Sequence, residues 1–278
     1  MSGPVLYLVG TPIGNLGDLS ARCREVLSAV DFIAAEDTRN TLRLLHHMGL
    51  HKPMISYFEH NRRERGLEIL RRIRAGETCA LVTDAGMPGI SDPGEDLVKL
   101  LAEEGYEVSV VPGPCALISA LVLSGLPTGR FSFEGFLSTT RKNRAAHLEE
   151  LRGRKETLIF YEAPQKLKAT LRDLAEALGD RRVALCRELT KLHETVQRGT
   201  LSEMIAFYEA HEPRGEYVVV LEGAEKPPEE APFWEKLSPA AHVEYYIQTG
   251  LNKKEAIRAA ATDRKVPKNE IYNQVMKK

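Results

Sequence analysis

Residues 83–94 read Thr83-Asp84-Ala85-Gly86-Met87-Pro88-Gly89-Ile90-Ser91-Asp92-Pro93-Gly94, a run whose residue types suit it to holding a ligand with main-chain atoms. Its glycines and prolines carry little side-chain bulk, so peptide N–H and C=O groups can come close to a bound molecule, while the prolines limit the freedom of the loop. An apolar run, Cys79-Ala80-Leu81-Val82, leads in like a buried strand. Asp92-Pro93-Gly94-Glu95 leads out with a helix-start pattern: a capping aspartate, proline at the first helical position and glutamate three residues on. Four further segments are rich in glycine or in groups that can move protons: Gly10-Thr11-Pro12-Ile13-Gly14-Asn15, Glu36-Asp37-Thr38-Arg39, Glu59-His60-Asn61 and Pro112-Gly113-Pro114. The first has neither a Gly-Lys-Ser/Thr ending nor GxGxxG spacing, which argues against nucleoside triphosphate or nicotinamide chemistry. Asp37 is also placed to cap a helix, Glu36 and Arg39 to pair across its start, and His60 stands beside Glu59.

The elements that must position these segments alternate strand and helix. Strands are expected at 5–9, 32–35, 54–58, 79–82 and 108–111, and helices from Asp18 to Leu27, 38–48, 61–74, after Asp92 to Glu104, and 115–123. Five such repeats predict a mostly parallel α/β sheet, in which every strand ends at the same edge. All five segments therefore converge on one crevice.

The second half predicts a mixed sheet. Strands are expected at 131–137, 157–161, 182–186, 194–197 and 217–221, with helices near 143–152, 164–178 and 201–210, the last opened by the capping box Thr200-Leu201-Ser202-Glu203. The predicted organisation is a first α/β domain over 1–124, a second over 130–223, an acidic proline-bearing linker at 224–233, and a helical extension over 234–278. Helices are expected there at 239–248, 253–262 and 267–277. From Leu251 onward eight Lys or Arg stand against three Asp or Glu, a balance that suits phosphate contact in helix-turn-helix style or a solvated helical cap.

Composition bounds the partners. Net charge is -1 over 278 residues, so a nucleic acid would have to be held by local basic patches. The scattered cysteines Cys23, Cys79, Cys115 and Cys186 have no metal-ligand spacing and read as reduced thiols. No signal peptide or membrane span is evident, and a cytoplasmic location is expected.

The motifs together resemble a known family. Residues 9–16, Ala35-Glu36-Asp37-Thr38-Arg39, the 83–94 loop, Val111-Pro112-Gly113-Pro114, Glu134-Gly135-Phe136-Leu137, Tyr161-Glu162-Ala163-Pro164 and Arg187-Glu188-Leu189-Thr190-Lys191 are similar to the motif set of the bacterial 16S rRNA (cytidine) 2'-O-methyltransferases, in the tetrapyrrole methylase-like class. The resemblance runs from about residue 5 to the end of the second sheet. It implies a homodimer of two-domain subunits that binds S-adenosylmethionine in a cleft between the α/β domains. The implied substrate is a decoding-centre cytidine of 16S rRNA in the small ribosomal subunit. By the same resemblance Asp84, Ala85, Gly86, Pro88, Ile90 and Ser91 contact the cofactor, joined by Phe136, Tyr161, Arg187, Glu188 and Thr190.

Methyl transfer to a ribose hydroxyl is an in-line displacement, so one proton must be removed from the attacking oxygen. Asp37, Glu59, His60 and Lys191 are the candidate groups, with Asp37 first, His60 second, and Lys191 suited to steadying a phosphate or the developing alkoxide. Thr11, Asn15, Arg39, Arg62, Arg63, Arg141, Lys142 and Arg144 are the candidate RNA contacts. Two other readings stay open from the residues alone: a methylase of tetrapyrrole-like small molecules, and a non-catalytic ribosome-assembly factor.

Overall fold

The computed structural model describes residues 3, 5–225, 233, 234 and 237–276. The chain divides into two compact units, Met1–Ala224 and Glu225–Lys278.

The first unit contains two five-stranded sheets. Strands β1 (Leu6–Val9), β2 (Phe32–Ala35), β3 (Met54–Ser56), β4 (Cys79–Val82) and β5 (Val108–Val111) form a wholly parallel sheet in the order β3-β2-β4-β1-β5. Their sequences are nearly continuous apolar runs because both faces of a parallel sheet are covered. Helices α1 (Ala21–Ala29) and α2 (Thr38–His47) cover one face through Cys23, Leu27 and Leu45, with Met48 just past the end of α2. Helices α3 (Arg62–Arg74) and α4 (Glu95–Glu103) cover the other through Ile69, Ile73, Leu97 and Leu101. The chain leaves β1 toward one face and β4, its neighbour, toward the other. The strand ends of β1 and β4 thus form the topological switch point, where a crevice opens at the carboxyl edge of such sheets.

The second sheet is mixed. Strands β6 (Phe131–Gly135), β7 (Thr157–Glu162), β8 (Arg182–Arg187), β9 (Thr195–Thr200) and β10 (Tyr217–Leu221) lie in the order β6-β7-β10-β8-β9, with β6 and β7 parallel and the other pairs antiparallel. Helices α6 (Arg141–Leu151), α7 (Pro164–Leu178) and α8 (Leu201–Ala210) pack on one face. The other face is covered by α5 (Ala116–Ser124), whose Leu117, Ala120 and Leu121 pack against Ile159, Ala184, Cys186 and Val220. Although α5 follows β5 in the chain, it therefore ties the two sheets together.

Two helix starts differ from the sequence expectation. Asp18 does not cap the first helix: Leu16–Asp18 forms a 3₁₀ turn capped by Asn15, and Ser20, whose hydroxyl accepts from the Cys23 N–H, caps α1. Asp92 is likewise no cap and Pro93 is not the first helical residue, because Gly94 at φ 153° occupies the N-cap and α4 starts at Glu95. The capping box expected at Thr200 and Glu203 is present.

The second unit packs α9 (Pro239–Gln248), α10 (Lys253–Asp263) and α11 (Lys268–Met276) around Val243, Ile257, Ala260 and Ile271. The stretch read as a linker, 224–233, lies mostly outside the described residues, as does Lys277 at the end of the third expected helix. Among the described residues no helix is long and apolar enough to cross a membrane.

Candidate active site at the strand tips

The loops after β1 and β4 are bound to each other at the switch point. Thr11 and Gly86 form an isolated antiparallel bridge, and the buried Thr11 hydroxyl donates to the Thr83 carbonyl at 3.2 Å. Gly86 makes this turn at φ 87°, a conformation costly for any residue with a Cβ. Gly10 and Gly113 bring the loops after β1 and β5 equally close, since a Cβ on Gly10 would stand 2.7 Å from the Gly113 Cα.

Carboxylates brace the loop from the other side. Glu36 accepts from the Thr83 hydroxyl at 2.6 Å and from the Asp84 N–H at 3.4 Å. Asp84 in turn accepts from the Asp37 N–H at 3.2 Å and the Asn40 amide at 2.8 Å. The start of α2 and the tip of β4 are thereby locked together.

Between this loop and the second sheet lies a cavity of about 440 Å³. Ile13, Ala85, Gly86, Met87, Ile90, Ser91 and Asp92 form the wall on the first-sheet side. Cys115 and Ala116 close one side, where the Tyr161 hydroxyl accepts from the Leu117 N–H at 3.2 Å. Phe136, Tyr161, Glu162, Glu188, Leu189, Lys191 and Glu216 belong to the opposite wall. Phe136 and Tyr161 meet edge to face, with ring centroids 5.7 Å apart. The volume, the mainly apolar wall and a few polar groups are those of a small-molecule site. Four wall carboxyl groups, Asp92, Glu162, Glu188 and Glu216, against the single ammonium of Lys191 favour a ligand that carries positive charge.

Of the cofactor contacts expected from sequence, Ala85, Gly86, Ile90, Ser91, Phe136, Tyr161 and Glu188 line the cavity. Asp84, Pro88, Arg187 and Thr190 lie outside that lining. Asp84 holds the loop as described, Arg187 donates to the His193 carbonyl at 3.3 Å, and Thr190, at φ 65°, shapes the turn after β8. Ile13, Met87, Cys115, Ala116, Glu162 and Glu216 belong to the wall without having been singled out. The Pro112-Gly113-Pro114 and Tyr161-Glu162-Ala163-Pro164 motifs lead directly to three of these positions, Cys115, Ala116 and Glu162.

Of the candidate catalytic groups only Lys191 is part of the wall. Its ammonium lies 3.0 Å from Glu188 and 2.8 Å from Glu216, and its stem packs on Gly14 so closely that a Cβ there would overlap it. Burial alone would lower its pKa, but Glu216 and Glu188 outweigh this and raise it. Asp37 caps α2, accepting from the Arg39 N–H at 2.8 Å, and its carboxylate is clasped by the Arg39 guanidinium. These hydrogen bonds lower the Asp37 pKa to about 2. His60 and Glu59 are exposed beyond β3, with Glu59 paired to Arg62 at 3.3 Å.

The candidate RNA contacts differ in availability. Arg63, Arg141 and Lys142 are exposed, and among the described residues no ion pair engages them. Arg39 is held by Asp37, Arg62 by Glu59, and the largely buried Arg144 by Asp173 at 2.5 Å and Thr170 at 2.8 Å. Thr11 is buried as a loop brace, and Asn15 accepts from the Gly17 N–H at 2.9 Å.

A parallel doubly wound sheet joined to a mixed sheet, with a cleft at the strand tips, is the architecture of a class of methylases. The methyltransferase CobJ superposes with a TM-score of 0.60 at 18% identity, covering 80% of this chain and 95% of that one. Uroporphyrin-III-C-methyltransferase from Thermus thermophilus gives 0.56 at 18% identity, over 77% and 93%. The chain belongs to the Tetrapyrrole (Corrin/Porphyrin) Methylases, whose family model matches residues 5–205. It is also similar to proteins named ribosomal RNA small subunit methyltransferase I. That of Halalkalibacterium halodurans is 49% identical over 96% of this chain and 93% of the relative. Those of Bacillus subtilis and Escherichia coli O157:H7 are 48% and 41% identical, over 97% and 98% of this chain and 93% and 94% of the relatives. The protein is a methyltransferase, which excludes the non-catalytic reading, and its methyl donor is S-adenosylmethionine. The acid-rich wall of the cavity fits that donor, whose sulfonium is cationic.

Proposed function

We propose that the enzyme uses S-adenosylmethionine to methylate the ribose 2'-hydroxyl of a decoding-centre cytidine in 16S rRNA, acting as a homodimer on the small ribosomal subunit in the cytoplasm. The observation that carries this reading is the cavity at the switch point, lined by residues of the 83–94 loop on one side and by Glu162, Glu188 and Glu216 on the other. The near full-length similarity to proteins named for ribosomal RNA supports the substrate class. Relatives that share under a fifth of its sequence support the fold only, so they do not favour a tetrapyrrole substrate.

In this reading the bound donor supplies an electrophilic methyl group. Ala85, Gly86, Ile90 and Ser91 hold it from the first sheet, and Phe136, Tyr161 and Glu188 from the second. Asp84, Pro88, Arg187 and Thr190 act on it through the shape of their loops. Asp37 removes the proton of the attacking hydroxyl once Arg39 leaves its carboxylate for an RNA phosphate, with His60 the second candidate. Lys191, cationic in its acidic setting, stabilises charge on the attacking oxygen or an adjacent phosphate. Arg62, Arg63, Arg141 and Lys142 extend the phosphate-binding surface, while Thr11, Asn15 and Arg144 keep the loops and helix behind it in place. The domain division at 124–130 and a nucleic-acid role for the helical unit belong to the same proposal. The outer face of α5, with Ile118, Val122 and Leu123 at 44%, 70% and 38% exposure, supplies an apolar surface for the second subunit.

Small subunits lacking the modification provide the test. Incubation with enzyme and radiolabelled S-adenosylmethionine should place one methyl on a cytidine ribose, seen as protection from alkaline cleavage 3' of that residue. Label on a base, or none in 16S rRNA, would overturn the proposal.

A further inference from the structure

Of the four carboxyl groups in the cavity wall, Glu162 accepts from the Thr170 hydroxyl and the Ala163 N–H, and Glu188 and Glu216 pair with Lys191, whereas among the described residues no ion pair engages Asp92. Glu36 and Asp84 have their hydrogen-bond donors within the protein, as described above. Asp92 lines the cavity. The Thr83 hydroxyl lies beside Asp92 as well, yet its single proton goes to Glu36. The wall therefore presents a carboxyl group whose neighbours, Glu36 and Asp84, repel its negative charge and whose protein donor is shared. A cation in the cavity would relieve both defects.

Methyl transfer changes the ligand's charge by one unit: the sulfonium loses its methyl to the acceptor oxygen and becomes a neutral thioether, while the acceptor's proton passes to the base. We propose that Asp92 is the residue by which the cavity distinguishes the charged methyl donor from its neutral product. The inference rests on the donor occupying this cavity and adds the group that reads its charge. It also gives the product a reason to leave, since after transfer Asp92 loses the cation that offset its repulsion by Glu36 and Asp84.

Other groups face this position from each side. Tyr161 of β7 and Cys115 before α5 share its wall, and Glu162, Glu188, Lys191 and Glu216 complete the polar groups there. Burial pushes the Asp92 pKa up to about 6; the nearby Thr83 hydroxyl opposes this, and Glu36 and Asp84 add to it. Burial pushes Tyr161 up to about 12, so it stays neutral. Glu188 is held below the usual range, chiefly by the Glu216 N–H, and Lys191 above its own, so both keep their charge near neutrality.

Affinities of the full-length enzyme for S-adenosylmethionine and S-adenosylhomocysteine, measured by calorimetry between about pH 5 and pH 8, test the inference. The amino-acid and nucleoside groups are common to both ligands and cancel in the ratio of their dissociation constants. In the wild type the preference for the donor should grow about tenfold as Asp92 ionises. In Asp92→Asn it should stay at its low-pH value throughout, with an unchanged melting temperature at about pH 5 showing an intact fold. A wild-type ratio that ignores pH, or an Asp92→Asn enzyme that keeps the rise, overturns the inference. Ala85→Trp separates this from the premise: if it binds both ligands as the wild type does, the donor lies elsewhere and the cavity assignment itself fails.

Discussion

Thr11 and Gly86 exchange both of their main-chain hydrogen bonds, at 2.9 and 3.1 Å, so the loops leaving β1 and β4 form a two-residue extension of the parallel sheet with the opposite strand sense. This bridge sits where the chain turns toward opposite faces of the sheet, and it fixes the main-chain groups that border the cavity.

Gly86→Ala tests how much the site depends on that bridge. The new Cβ would meet the Ile13 side chain at 3.4 Å, which is tolerable, but φ at 87° is not. The expected cost is about 1 to 2 kcal/mol of stability. Because the strain is relieved most readily by moving the loop, donor affinity should fall by about tenfold or more, measured by calorimetry beside a thermal melt. Full affinity with a lowered melting temperature would show that the bridge serves folding alone.

Lys191→Met should act on turnover more than on donor binding. The substitution leaves Glu188 and Glu216 facing each other without the cation between them, while the stem still packs on Gly14. If the ammonium stabilises negative charge at the acceptor, kcat should drop by about a hundredfold. The S-adenosylmethionine dissociation constant should change by less than about threefold. Lys191→Arg should recover part of the rate. Equal losses in kcat and in donor binding would assign Lys191 to the cofactor wall only.

Much of this site is legible in the sequence. Five parallel strands must be buried on both faces, so runs such as Phe32-Ile33-Ala34-Ala35 and Cys79-Ala80-Leu81-Val82 stand out, and strand polarity alone brings their following loops to one edge. Asp92 was misleading because Asp-Pro-Gly-Glu is a local helix-start pattern, whereas the tertiary course of the 83–94 loop hands the N-cap to Gly94 and turns Asp92 to the cavity. Asp18 is displaced similarly, since Ser20 lies two residues nearer the helix that packs. The docking of α5 on the second sheet left no trace in its pattern: its residues are apolar nearly all round, so no face is marked as the inner one.

The Asp37–Arg39 pair predicts a shift in the pH dependence of methylation. A carboxylate with a pKa near 2 is a poor base, and its charge persists until pH falls through about 2. Arg39→Ala removes the leading cause of that depression, so the Asp37 pKa should rise toward the usual carboxylate range near 4. If Asp37 is the base, the acidic limb of the single-turnover pH–rate profile should move upward with it, and Asp37→Asn should lose about a hundredfold or more in rate. An acidic limb that stays in place in Arg39→Ala and disappears in His60→Gln would give the role to His60.

His242 makes the helical unit sensitive to acid. Its side chain is buried, Nδ1 accepts from the Arg264 Nε–H at 3.1 Å, and Nε2 lies 3.2 Å from Asp263. Burial, with Arg264 adding, lowers its pKa below the usual histidine value, while Asp263 opposes the shift. The folded unit thus favours the neutral ring. Its stabilising effect is present above the unfolded-state pKa of about 6.5 and is lost as pH falls below that value, because the unfolded chain then binds the extra proton. The single tryptophan, Trp234, stacks on His242 with ring centroids 5.6 Å apart, so its fluorescence reports on this unit. Melting followed by tryptophan emission should move to lower temperature between about pH 7 and pH 5, and His242→Gln should flatten that dependence while lowering stability at neutral pH. A melt that is independent of pH over this interval would mean that the buried ring tolerates protonation, with Asp263 supplying the compensation.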